Sequence, residues 1–143
     1  MTYVDQTEFS DKDKGTKGNC LSACLANLLS IDLTLIPNFA YLGDAWFPAF
    51  SSFLKENGYR FKGTYYFSSI SDQASMGTWE DLLKINEGIN GVYITAGPSP
   101  RLEGVGHAVL YKDGNLLHDP HPSREGILSL RYTYMIELNT EEK

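Results

Sequence analysis

The chain has 143 residues, 42% of them hydrophobic, with 12 Lys plus Arg against 18 Asp plus Glu, a net charge of −6. That length suits a single globular domain over residues 1–143 with a buried core, and an acidic chain without a basic run argues against a binder of phosphate backbones. Two cysteines and three histidines are too few for a disulfide framework or a four-cysteine zinc centre.

The first residues, Met1 to Gln6, lead into a charged stretch through Lys17. They lack the basic start and apolar core of a secretory signal. No apolar run approaches the ~18 residues of a membrane span. The expectation is a soluble chain in a reducing, cytoplasmic setting with free thiols, with no nucleic-acid or membrane partner. A phage-encoded chain, or one exported by another route, has the same features.

Residues 10–18 form a polar, Gly-punctuated loop. Asn19 then stands as N-cap of a helix from Cys20 to about Ser30. Leu21, Ala23, Cys24, Leu25, Ala26, Leu28 and Leu29 make that helix apolar almost all round, so it belongs in the centre. A second helix is expected between Asp44 and Asn57, with Trp46, Phe47, Phe50, Phe53 and Leu54 inward and Gly58 as its stop. A third runs from Trp79 to about Asn86 behind a Thr78 cap. Strands are expected at Tyr59 to Phe67 and Gly91 to Thr95. Val105 to Lys112 and Asn115 to Asp119 flank Asp113-Gly114, a hairpin signal. Residues 128–138 alternate at period two. Helices mostly first and antiparallel strands later make the fold class α+β.

Cys20 is the first residue after the cap of a buried helix. The partial positive charge of a helix N-terminus favours thiolate over thiol, and Gly18 lets backbone or substrate come close. Cysteine is also among the most buried residue types, and packing alone is the alternative. Cys24 lies one turn deeper on the same face, where Cβ atoms about 5–6 Å apart cannot bridge, and is read as core.

A nucleophilic cysteine needs a base, and the base needs an orienter. His107 opens a strand after Gly104-Val-Gly106 and is the candidate base. Asp119, twelve residues on, is the candidate orienter. The hairpin register tests the pair. A two-residue loop at Asp113-Gly114 sets Ala108 opposite Asp119 and turns His107 to the other face. A three-residue loop, or an equivalent bulge, sets Val109 opposite Asp119 and leaves His107 and Asp119 diagonal on one face. Asp119 before Pro120 also reads as an ordinary turn residue.

Cys at a buried helix start, His on a strand and Asp on the next strand, in that order, resemble the papain-like cysteine peptidases. Gly18-Asn19-Cys20-Leu21-Ser22-Ala23-Cys24-Leu25, Gly106-His107-Ala108-Val109-Leu110 and His118-Asp119-Pro120 look like compact bacterial and phage versions, such as the peptidase domains of bacteriocin-processing transporters. The resemblance implies a papain-like α+β fold with its central helix packed on a mostly antiparallel sheet. It implies a Cys20–His107–Asp119 triad acting on a peptide or protein substrate through a thioester, without cofactor or metal. The family also uses a glutamine upstream of the cysteine to bind the oxyanion. Gln6 is the one Gln before Cys20, fourteen residues away, and Gln73 is the other in the chain. The Cys20 amide would be the second donor.

Two other readings stand beside this one. His118, Asp119 and His121, with Cys20 and His107, suggest a metal site, although Pro120 and Pro122 mark an extended loop and no HExxH or CxxC frame is present. A non-catalytic binding module on the same fold would use Trp46, Tyr65, Tyr66 and Trp79 as contact aromatics. The loop Gly97 to Gly104, just before His107, is placed to overhang a cleft and select substrate.

Overall fold

A computed structural model describes residues 3–67 and 77–139, and Gln73 lies outside them. The elements in chain order are α1 (Cys20–Leu29), α2 (Trp46–Glu56), β1 (Tyr59–Tyr66), α3 (Trp79–Ile85), β2 (Val92–Pro98), β3 (Gly106–Lys112), β4 (Asn115–His118) and β5 (Tyr132–Leu138). Short 3-10 turns at Leu33–Leu35 and Phe39–Ala45 join α1 to α2. The five strands form one sheet in the order β1-β5-β2-β3-β4, and the paired strands run antiparallel. The fold class is α+β. Among the described residues no single helix is long and apolar enough to cross a membrane.

The apolar sequence of α1 has its expected consequence. Ala23, Cys24 and Leu25 are fully buried, and the helix packs on β3 and β2. Its core neighbours include Ile94, Ala108, Leu110, Tyr134 and Ile136 from the sheet and Phe50 and Leu54 from α2. This burial sets the start of α1 against the start of β3. Helix α2 packs on β1 through the same core, and Gly58, at φ +86°, ends the segment as expected of a glycine in the left-handed region. Thr78 caps α3 with a full capping box: its hydroxyl accepts from the Asp81 amide, and the Asp81 carboxylate accepts from the Thr78 amide.

Several local expectations need correction. Asn19 precedes α1, but its side chain makes no capping bond. Its Oδ1 instead accepts from the amides of Thr7 and Glu8, both at 2.9 Å. Phe47 is 39% exposed rather than inward, lying edge-on to Phe61 at the rim of the core. Strand β2 continues past Thr95 to Pro98, because β3 supplies partners over its whole length. The period-two residues 128–131 are not strand, and β5 begins at Tyr132. There the chain crosses Gly97 so closely that a Cβ on that glycine would sit 1.9 Å from the Ser129 carbonyl.

The β3–β4 hairpin combines both registers weighed above. Asp113 and Gly114 carry φ of 54° and 80°, and Lys112 pairs with Asn115, so the turn is the tight two-residue form. The pairing then shifts: Tyr111 faces Leu116, but Leu110 faces His118. The extra residue, Leu117, is a β-bulge. Extrapolated by one residue, this register sets Val109 opposite Asp119.

Candidate active site

The start of α1 and the start of β3 meet at Cys20 and His107. The Ala108 amide donates to the Cys20 sulfur at 3.4 Å. His107 Nε2 pairs with Asp119 Oδ1 at 2.6 Å, and the Cys20 side chain also lies within interaction range of the imidazole. The carboxylate holds Nε2, and Cys20 stands beside the same ring. Cys20 is half-buried, His107 is buried, and Asp119 is only 1% exposed.

A buried carboxylate needs partners for its lone pairs. Asp119 has them. Oδ1 also accepts from the His121 amide at 2.9 Å, and Oδ2 accepts from the Gly126 amide at 2.7 Å. Burial pushes the Asp119 carboxyl up, but the His107 bond and the two amide bonds outweigh it and hold it below its usual value of 3.8. Burial likewise pushes the His107 imidazole down. Its hydrogen bonds to Asp119 and Cys20, with the charges behind them, prevail and raise it to about 9. The ring therefore favours its protonated form at neutral pH.

Cys24 is fully buried, and desolvation raises its thiol well above 9.0, with smaller contributions from Cys20 and Asp119. Both cysteines are free. The two thiols, one turn apart, lie in different surroundings.

Gln6 comes to the same cleft from the N-terminal segment, which runs beside α1 as a strap. Asn27 holds the Val4 backbone through both its amide and carbonyl, the Gln6 amide donates to the Pro120 carbonyl at 3.0 Å, and Asn19 holds Thr7 and Glu8. Arg124 adds a two-point ion pair to Asp5, at 2.7 and 3.1 Å, and the same Nη1 donates to the carbonyls of Asp119 and His121. The Gln6 side chain is buried. Nε2 donates to the Glu8 carbonyl at 2.9 Å, and Oε1 is buried without a hydrogen-bond partner. A Cβ at Gly18 would lie 3.1 Å from that Nε2, so the glycine preceding Asn19 makes room for the glutamine.

Gln6, Cys20 and His107 line one cleft of about 860 Å³. Leu21, Phe39, Trp46 and Tyr134 supply apolar wall, and Arg101, His121, Lys12 and Lys17 also line it. Gly97 and Pro98 of the expected loop belong to β2, and the rest, 99–104, flanks this cleft: the Ser99 hydroxyl accepts from the amides of Arg101 and Leu102, and the Ser99 amide donates to the Val105 carbonyl at 2.8 Å.

His118 and His121 part company. His118 stacks on Tyr3 and pairs with Asp5 at 3.3 Å, on the strap. His121 packs edge-on to His107, with ring centroids 6.3 Å apart, at the cleft. Among the described residues no three His, Cys, Asp or Glu side chains come together to hold a metal ion. Of the contact aromatics, Trp46 packs on the main core and lines the cleft, Trp79 stacks on Tyr111 over a smaller core, and Tyr66 is the most exposed at 38%. Sequence reasoning gave no role to Arg124 or Asp5, placed Arg101 only within the loop before His107, and weighed His121 only as a metal ligand. The one available signal was His121 standing two residues after Asp119, inside reach of a carboxylate-centred turn.

No family model, curated protein or solved structure matches this chain.

Proposed function

We propose that the chain is a thiol-dependent acyl-transfer hydrolase, a peptidase, isopeptidase or amidase of papain-like architecture. The observation that carries this reading is the hold of Asp119 on His107 beside Cys20. Asp119 takes one ring nitrogen at 2.6 Å, and Cys20, at the start of a buried helix, interacts with the same ring, inside an open cleft. A packing cysteine has no need of an oriented imidazole, and an oriented imidazole raised to about 9 is suited to hold a proton beside sulfur.

In the reaction, Cys20 sulfur attacks the substrate carbonyl carbon and the C=O pair moves onto oxygen. The Cys20 amide at the helix start and the second hydrogen of Gln6 Nε2 are the candidate donors to that oxyanion. His107 delivers its proton to the leaving nitrogen as the C–N bond breaks, giving a free amine and a Cys20 thioester. Water then attacks the thioester while His107 takes its proton. The tetrahedral species collapses to a carboxylic acid and free Cys20. Asp119 keeps the ring oriented through both halves. The lack of a capping bond from Asn19 supports this account, because its side chain does not compete for the amides of the first turn.

The test is alkylation by limiting iodoacetamide, read by mass spectrometry across pH. Cys20 should label at least about tenfold faster than Cys24 at pH 7, and the preference should disappear in His107→Ala. Equal, slow labelling of the two cysteines removes the proposal.

A further inference from the structure

The cleft has two unlike ends, and a line of contacts joins them. The Trp46 ring lies 6.3 Å from Tyr134, and Tyr134 is within electrostatic reach of Cys20. Cys20 interacts with His107, and the His107 ring lies 6.3 Å from His121. His121 Nδ1 accepts from the Ser123 amide, and the Ser123 hydroxyl accepts from Arg101 Nη1, both at 3.0 Å. One end is therefore aromatic and the other cationic, with Cys20 and His107 between them.

The cationic end stands against the charge of the chain. The fully charged side chains lining the cleft are Lys12, Lys17 and Arg101 against Asp11, in a chain of net charge −6. Asp11 Oδ1 is engaged by the amides of Asp13 and Lys14. Lys12 Nζ reaches the Glu103 carbonyl at 3.2 Å, which ties its loop to the Arg101 loop. The Arg101 side chain is only 20% exposed. Its paired carboxylate, on Glu125, stands off at 3.6 Å and is half in solvent. A guanidinium has five N–H donors. One that is mostly desolvated and loosely paired gains strongly from a two-point carboxylate bond. Burial, followed by the Arg101 charge, lowers the His121 imidazole, and with Nδ1 accepting, the neutral ring carries its hydrogen on Nε2 as a further donor.

We propose that this end is a carboxylate subsite: the substrate carries an acidic group on the leaving-group side of the scissile bond, and Arg101 binds it, flanked by His121 and Lys12. The assignment of side rests on the acyl-transfer reading above. His107 gives its proton to the leaving nitrogen, so the leaving segment lies on the His107 side, toward His121 and Arg101. The acyl segment lies over Leu21, Trp46 and Tyr134, where an apolar group fits.

Two reagents of similar size, iodoacetate and iodoacetamide, test the subsite without a known substrate. The readout is the ratio of their rate constants at Cys20, which cancels changes in the nucleophile itself. The wild-type ratio should exceed that of Arg101→Gln about three- to tenfold, and salt should narrow the difference. Lys12→Gln, at an exposed position, should lower the ratio less, and it serves as the second variant should Arg101→Gln fold poorly. A wild-type ratio insensitive to salt and equal in the variants overturns the subsite. The iodoacetamide rate alone addresses the acyl-transfer reading, so the two failures are distinguishable. Peptide libraries with amidated or free C-termini, read by mass spectrometry, then separate side-chain from terminal carboxylates. Acidic groups should be enriched on the leaving side of cut bonds. Enrichment on the acyl side, or none, overturns the assignment.

Discussion

Among the described residues there are two histidine–aspartate pairs, and they differ in almost everything but chemistry. His107–Asp119 is buried, 2.6 Å long, and backed by two amide bonds to the carboxylate. His118–Asp5 is 3.3 Å long with Asp5 about one-third exposed, and it shares its carboxylate with Arg124. The buried pair orients a ring toward Cys20. The outer pair clamps the strap that carries Gln6 into the cleft. The same two residue types act through direction in one place and through tethering in the other, because burial strengthens a hydrogen bond and solvent screens an ion pair.

The most damaging way to break this comparison is Asp119→Ala. It frees the His107 ring and orphans the Gly126 and His121 amides. The cleavage rate should fall about 10³-fold or more, with a stability loss of roughly 3 kcal/mol, checked by turnover and by urea unfolding. Activity within a few-fold of wild type would mean that Asp119 only packs.

Asp5→Asn strikes the outer pair and should be milder. Stability should change by about 1 kcal/mol or less, because the Arg124 side chain is half in solvent and Asp5 about one-third exposed. Gln6 loses part of its tether, so kcat should drop roughly tenfold with KM nearly constant, as expected for an interaction made in the transition state. A change confined to KM would place the strap in substrate binding instead.

The smallest effect sharpens the contrast through pH. His107 is raised from 6.5 to about 9, so it binds its proton more tightly in the folded chain. Its stabilising contribution is complete below about pH 6.5 and is lost as pH rises through about 9. Asp119 is held below 3.8, so its contribution is present above that value and fades only in stronger acid. The Tm advantage of wild type over His107→Gln should therefore be full near pH 6 and shrink by a few degrees toward pH 9.5. A constant difference across that range would contradict the protonated, doubly bonded ring.

Much of the fold was legible because it depends on local chemistry. The all-apolar run after Asn19 requires a buried helix, Thr78 with Asp81 makes a capping box, and Asp113-Gly114 makes the tight turn. The bulge at Leu117 was not legible. The turn alone sends His107 and Asp119 to opposite faces, and the extra residue in an edge strand reverses that. Nothing in the sequence Asn115-Leu-Leu-His marks it. The carboxylate of Asp119 meets three partners at its buried position, and those lie at His107, His121 and Gly126. Asn19 illustrates the same limit. Its residue type suits a cap, but the strap offers two amide donors at 2.9 Å, and they take the side-chain oxygen.

Two cysteines and three histidines were separable by position along the chain only in part. The sequence by itself determined that Cys20 begins a buried helix and Cys24 lies inside it, since periodicity and apolar content decide depth. It also determined the order Cys20, His107, Asp119. Only the tertiary structure decided that these three meet and that Gln6 joins them across fourteen residues. It also decided that the cleft of an acidic chain is lined by Lys12, Lys17 and Arg101. Such juxtapositions depend on bulge, strap and loop contacts between segments distant in sequence, and local propensity carries no information about them.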